Sequence, residues 1–195
     1  MIIGITGGTG CGKTTALDVI RQLGGIVIDC DQIYHELLER DVSLLSAIET
    51  RFPGTVENGA LNRKKLGRIV FADEKALLDL NAITHGVVKQ QVQRQLLSNP
   101  RLAAIDAIGL FEGGLAEICD VTVAVTAPEE SRIARLMARD GITEDYAKAR
   151  IAAQKSQQWF ISHCDYVLEN HGTAKAFSAK CLAFFRDLAI IKEKQ

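Results

Sequence analysis

Residues 7–14 read Gly-Gly-Thr-Gly-Cys-Gly-Lys-Thr, directly after the apolar run Met-Ile-Ile-Gly-Ile-Thr. The pattern G-x-x-x-x-G-K-[ST] falls on Gly7, Gly12, Lys13 and Thr14, where a first strand would turn into a first helix; that context is the one a phosphate-cradling loop requires. Glycines let backbone N–H groups curl around phosphate oxygens without a Cβ in the way. A helix starting near Lys13 points its positive end at the same oxygens. Gly8, Thr9, Gly10, Cys11, Gly12, Lys13, Thr14 and Thr15 are therefore the expected nucleotide-binding set, with Lys13 reaching the β- and γ-phosphates and Thr14 holding Mg²⁺. Cys11 lies inside the loop, where N–H dipoles and Lys13 would act to lower its pKa; a small side chain that merely fits is the simpler expectation. The dinucleotide fingerprint G-x-G-x-x-G is absent, because no three glycines have its spacing.

A chain that opens this way commits itself to alternating strands and helices around a parallel sheet. Strands are predicted at Ile2–Thr6, Ile26–Asp29, Leu102–Ile108, Val121–Thr126 and Tyr166–Leu168. The first helix carries Leu17, Ile20 and Leu23 and stops at Gly24-Gly25. A helical stretch covers Gln32–Arg40, and Asp73 opens a long helix with Ala76, Leu80, Ile83 and Val87 in register, ending near Asn99-Pro100. Thr126-Ala-Pro128-Glu129 reads as a capped helix start. Another helix follows Thr143, and a last one covers roughly 173–191. Between the second and third strands lie roughly seventy residues of helical patterning, far more than a crossover needs. The expected organisation is one domain over 1–195, with a helical insertion at about 32–98 that grips an acceptor and a lid at about 129–164.

Composition narrows the field of partners. A formal net charge of −1 leaves no basic surface for nucleic acid. No apolar run approaches a membrane span, and Met1 leads straight into the first strand without a basic leader. The five cysteines are scattered and form no C-x-x-C pair, which fits a reducing cytoplasm better than a disulfide framework or a zinc site.

The second strand ends in Asp29-Cys30-Asp31, and ligands of open parallel sheets sit beyond such carboxyl ends. Asp31 reaches furthest and would orient or deprotonate an acceptor hydroxyl; it would equally cap the helix that follows, and the local sequence does not choose. The third strand carries Asp106, a candidate second Mg²⁺ anchor beside Thr14. Asp106 to Gly109 also fits the Asp-x-x-Gly of nucleotide-dependent switch proteins, but no Asn-Lys-x-Asp guanine motif occurs. Arg132, Arg135 and Arg139 recur at spacings of three and four along one helix, and Arg150 lies on the next. Such a stripe is a solvated basic face or a lid that brings positive charge over the γ-phosphate. Arg63 with Lys64 and Lys65, and His85 in the long helix, are the polar candidates of the insertion.

In combination these segments resemble the dephospho-coenzyme A kinase family. The likeness runs from Gly4 to about Gly172 through Gly4–Thr14, Val27-Ile-Asp-Cys-Asp31, Leu61–Phe71 with Leu80–His85, Leu110-Phe-Glu112, Arg135–Gly141, Arg150-Ile-Ala-Ala-Gln154 and Asp165–Gly172. It implies an α/β P-loop kinase with a five-stranded parallel sheet. It also implies transfer of the ATP γ-phosphoryl group to the 3′-hydroxyl of dephospho-CoA, with Mg²⁺ and with dephospho-CoA as the small-molecule partner. By resemblance, Asp31, Lys13 and Arg139 are catalytic, Arg135 and Arg139 touch the nucleotide, and Asp29, Asp31, Arg63, His85, Glu112 and Arg150 form the acceptor site; a monomer is favoured. The chain departs from the family pattern at Gly86, where proline follows the histidine, at Ile108-Gly109, at Asn62, where aspartate is usual, and at Phe160, where lysine is common. The alternatives are a P-loop kinase for another small metabolite or nucleotide, and a nucleotide-dependent switch.

Overall fold

The computed structural model describes residues 1–192. Five strands make one parallel sheet: β1 (Ile2–Thr6), β2 (Ile26–Asp29), β5 (Ala103–Asp106), β6 (Val121–Thr126) and β7 (Tyr166–Glu169), in the spatial order β2-β5-β1-β6-β7. The three central strands are near-continuous apolar runs, as strands covered on both faces must be; Ile3, Ile5, Ala103, Ala104, Ile105, Val123, Ala124 and Val125 are fully buried. Register sets the chemistry, because Ile5 and Asp29 both lie opposite Asp106. The phosphate loop, Asp106 and the Asp29–Asp31 segment therefore leave the sheet side by side.

Helices α1 (Lys13–Gln22) and α9 (Ala174–Lys192) pack on one face of the sheet, where Leu17, Val19, Ile20, Phe177, Cys181 and Phe185 close the larger core. Helices α2 (Cys30–Arg40) and α5 (Glu74–Leu96) pack on the other, with Ile33, Val88 and Val92 against Ile28 and Ile105. The strands and most helices expected from the pattern are present with shifted ends: β5 is shorter than 102–108, and α5 stops at Leu96.

The region between β2 and β5 is richer than its helical patterning suggested. It contains α2, α3 (Val42–Arg51), a two-stranded hairpin of β3 (Val56–Glu57) and β4 (Ala60–Leu61), α4 (Arg63–Ala72) and α5. The hairpin escapes sequence reading because two-residue strands carry no periodicity; its signal is the Asn58-Gly59 turn, both residues at positive φ. These elements own a core of Leu38, Leu44, Ile48, Phe52, Leu66, Val70, Ala76 and Leu80.

Helices α6 (Glu129–Asp140) and α7 (Glu144–Ala152) share a smaller cluster of Ile133, Leu136, Ala147 and Ile151. At 1.5–3 kcal/mol for each buried apolar side chain, that cluster is worth roughly half the other, so α6–α7 is the less firmly held of the two additions. Helix α6 does not begin with the expected side-chain cap: Thr126 is buried at the end of β6, and Pro128 occupies the N-cap without a side-chain hydrogen bond. Helix α8 (Gln157–His163), not anticipated separately, is anchored by Phe160, which is 2% exposed. The departure from lysine at this position thus supplies core packing.

Candidate active site

Two cavities meet at the carboxyl end of the sheet. The first, about 510 Å³, is walled by Gly8 to Thr14, Asp106, Arg135, Leu136 and Arg139. The second, about 420 Å³, is mostly apolar and runs between α2, α4 and α5; Asp31, Tyr34, His35, Arg63 and His85 are its polar groups. Asp106 faces the first cavity and Ala107–Gly109 the second, so they adjoin across the end of β5.

The loop of the first cavity is held from behind by side chains. Arg132 Nε donates to Thr9 O at 2.9 Å, Arg135 Nη1 donates to Gly10 O at 3.1 Å, and Asn170 Nδ2 donates to Cys11 O at 2.9 Å. Gln154 Oε1 accepts from Thr9 N–H at 2.8 Å. With its carbonyls pulled backwards, the loop turns its remaining N–H groups towards the cavity. Gly12 adopts φ 101°, and a Cβ there would overlap the Asn170 amide, so only glycine fits. Lys13 Nζ donates to Gly7 O at 3.0 Å, inside the loop it serves.

Burial governs the thiol of Cys11. It is 2% exposed and its pKa is raised, desolvation outweighing Lys13 and Arg132. Burial thus works against a reactive thiolate, in line with the small-residue expectation. Cys30, under the second cavity, is pushed up to about 12 by burial and by Asp106, Asp29 and Asp31.

At the junction, Asp106 is raised to about 6, chiefly by burial; Lys13 opposes the rise, and Asp29 and Asp31 add to it. A carboxylate held among others in a poorly solvated pocket calls for a cation. Among the described residues no three carboxylate, imidazole or thiol groups converge on a self-sufficient metal site. Mg²⁺ needs only one or two protein oxygens when phosphates and water complete its shell, and the Thr14 hydroxyl and Asp106 carboxylate line one cavity. The residues present fit such an ion.

The structure resolves the ambiguity at the end of β2. Asp29, not Asp31, caps α2, its Oδ1 accepting from Gln32 N–H at 2.9 Å. Asp29 lines neither cavity, its observed contact being the cap. Asp31 lines the second cavity together with Tyr34, His35 and Leu38, the i, i+3, i+4, i+7 face of α2. Arg63 reaches the same wall, its Nη1 3.2 Å from His35 Nδ1 and its Nη2 3.2 Å from Glu39 Oε1. His85 lies on α5, which passes unbroken through Gly86; a proline there would interrupt the helix. Asn62 caps α4 by accepting from Lys65 N–H at 3.0 Å, so the change from aspartate keeps the capping oxygen.

The arginines divide. Arg135 and Arg139 line the first cavity, Arg132 is buried under the loop, and Arg150 lines neither cavity. Arg139 Nε and Arg150 Nη1 both donate to Asp140, at 2.7 and 2.6 Å, holding its carboxyl down at about 2. Glu112 is exposed and outside both cavities, and Thr15 lies beyond the loop wall. The Asp-x-x-Gly match is divided, since Ile108 and Gly109 line the apolar cavity rather than the phosphate side. Sequence reading passed over Tyr34, His35, Gln154 and Asn170 as site residues, and placed Arg132 in a lid stripe rather than behind the loop. The spacing from Asp31 was the available signal for the first two; for the others, only the fold brings them to the loop.

A family model described as "Dephospho-CoA kinase" matches residues 1–176. A protein of that name from Anaeromyxobacter dehalogenans is 36% identical over 193 residues, 96% of this chain and 92% of that one. Another, from Bacillus licheniformis, is 35% identical over 186 residues, 92% of each chain. A crystal structure from Thermus thermophilus superposes with a TM-score of 0.79 at 32% identity, covering 96% of this chain and 97% of that one. The dephospho-CoA kinase of Campylobacter jejuni (TM-score 0.70, 24% identity, 98% of each chain) and a shikimate kinase of Bacteroides thetaiotaomicron (TM-score 0.55, 16% identity, 96% of this chain and 97% of that one) share the fold.

Proposed function

The chain belongs to the dephospho-CoA kinase family, and on that premise we propose how its residues divide the work of the reaction. The protein is an ATP-dependent phosphotransferase of coenzyme A biosynthesis, carrying the γ-phosphoryl group of ATP to the 3′-hydroxyl of dephospho-CoA to give coenzyme A and ADP. One observation carries the assignment: a phosphate-loop cavity and an apolar cavity adjoin at the ends of β2 and β5, with Asp31 on one side and Lys13 and Asp106 on the other.

The triphosphate occupies the loop Gly8–Thr14, with Thr15 following at the start of α1. Dephospho-CoA enters between α2, α4 and α5, within the 32–98 insertion, its anionic part near Arg63 and His85. Asp31 accepts or orients the proton of the 3′-hydroxyl as that oxygen attacks the γ-phosphorus and the β–γ bridging oxygen leaves with ADP. Lys13, released from Gly7 O, follows the phosphoryl oxygens. Arg139, brought in by the 129–164 lid, adds charge where it develops, and the lid excludes water that would otherwise hydrolyse ATP. Thr14 and Asp106 would hold Mg²⁺, which when bound neutralises the β- and γ-phosphate oxygens.

The five cysteines are free thiols, which supports a reducing cytoplasm, and no helix among the described residues is long and apolar enough to cross a membrane. The test is incubation of the protein with Mg-ATP and dephospho-CoA, and separately with the 3′-deoxy acceptor. Coenzyme A and ADP in equal amounts from the first, and no phosphorylated product from the second, is the expected result. ADP without coenzyme A would point to another acceptor.

A further inference from the structure

Arg132 is the most enclosed charge among the described residues that the reaction scheme does not use. It lies on α6, one turn before Arg135, and is only 6% exposed. Its Nε donates to Thr9 O, but its Nη2 is buried with no hydrogen-bond partner. No carboxylate forms an ion pair with it among the described residues. Glu129, at the start of the same helix, is its nearest acidic influence, and the Cys11 thiol beside it stays protonated. A Cβ on Gly8 would collide with the guanidinium. The guanidinium therefore packs directly against Gly8, a residue that lines the nucleotide cavity.

A buried cation without its anion is costly, and proteins rarely retain one without a use for it. Here it is packed against the loop that walls the cavity where several negative charges arrive. Screening is weak inside the fold, so a charge need not touch a phosphate to attract it. Lys13 is of the opposite kind, mobile and facing the cavity.

We propose that Arg132 is a positioning residue whose counter-charge is the triphosphate: a fixed cation behind the loop that strengthens polyphosphate binding at the expense of the free protein's stability. This rests on the reading of the loop as the ATP site and extends it to a residue that does not line the nucleotide cavity. It separates two roles by sign. A structural arginine stabilises the free protein, whereas an unpaired cation held for a ligand destabilises it.

The experiment compares the intact enzyme with Arg132→Met and Arg132→Lys, measuring the thermal midpoint without ligand and the affinities for ATP, inorganic tripolyphosphate and dephospho-CoA. Arg132→Met is expected to melt at the wild-type temperature or higher. It is expected to bind ATP and tripolyphosphate about tenfold more weakly, with dephospho-CoA affinity unchanged. Arg132→Lys keeps the charge and should keep most of the ATP affinity. The proposal is overturned if Arg132→Met lowers the midpoint or fails to fold, if ATP affinity is unchanged, or if Arg132→Lys loses as much affinity as Arg132→Met. In the unmodified enzyme, the ¹⁵N resonance of the Arg132 Nε–H should shift with tripolyphosphate and not with dephospho-CoA; an unmoved resonance at saturating tripolyphosphate overturns it independently. If the wild-type protein binds neither ATP nor tripolyphosphate, the loop reading itself fails.

Discussion

The two cavities of this enzyme are built on different principles. The nucleotide side is wired: three loop carbonyls and one loop N–H are tied by Arg132, Arg135, Asn170 and Gln154, and the groups left over face the ligand. The acceptor side is packed: a cavity of about 420 Å³ is enclosed by Leu38, Leu66, Val70, Leu80 and Val88, with few polar groups around Asp31. A triphosphate is recognised by directed donors and charge, which demand a preorganised backbone. An acceptor with a long uncharged arm is held by apolar walls, and a few charged and polar side chains meet its anionic part.

Changes on the wired side should strike the chemistry. Lys13→Met is expected to lower kcat by about 10²–10³-fold while leaving dephospho-CoA affinity intact; weakened acceptor binding would show that the cavities are not separable. On the packed side, Arg63→Ala should raise KM for dephospho-CoA about tenfold at near-normal kcat. A collapse of kcat instead would move Arg63 into the reacting centre. At the junction, Asp106 titrates at about 6, above its ordinary value, because of burial and then the neighbouring Asp29 and Asp31. The fold thus favours the neutral carboxyl, a stabilisation present below about pH 4 and lost as pH rises through 6. Asp106→Asn should accordingly melt a few degrees above wild type at pH 7.5 and no higher at pH 4. The same increment at both pH values would detach the effect from ionisation. The smallest effect belongs far from either ligand. Gly86 is exposed in mid-helix with open space beside it, and Gly86→Ala should stabilise by about 0.5–1 kcal/mol with unchanged kinetics. Altered acceptor KM would mean that α5 bends there in use.

The same contrast explains what could be read from the chain. The loop and the strand-end carboxylates are local patterns, each fixed by a few consecutive residues, and the parallel sheet follows from the apolar runs that carry them. Even there, the cap fell to Asp29 rather than Asp31, because capping depends on where α2 begins and the sequence allows a start at Cys30 or at Gln32. The acceptor cavity comes from α2, α4 and α5 meeting across more than fifty intervening residues, roughly an entire insertion, and no local pattern fixes such an encounter. His35 was accessible through its spacing from Asp31. The role of Arg132 was not: its stripe with Arg135 and Arg139 describes a face, and only the packing of α6 against the loop decides which arginine is buried and which two line the cavity. Arg150 and Glu112, assigned to the acceptor by resemblance, illustrate the same limit, since both lie outside the cavities.

The central proposal is that Asp31, on the acceptor side of the junction, receives the hydroxyl proton where the two cavities bring their ligands together. The most direct test is Asp31→Asn, with ATP and dephospho-CoA binding measured alongside single-turnover phosphoryl transfer. The account predicts both affinities within about twofold of wild type and transfer slowed by about 10²–10⁴-fold. Transfer at close to the wild-type rate would remove Asp31 as the group that receives the hydroxyl proton.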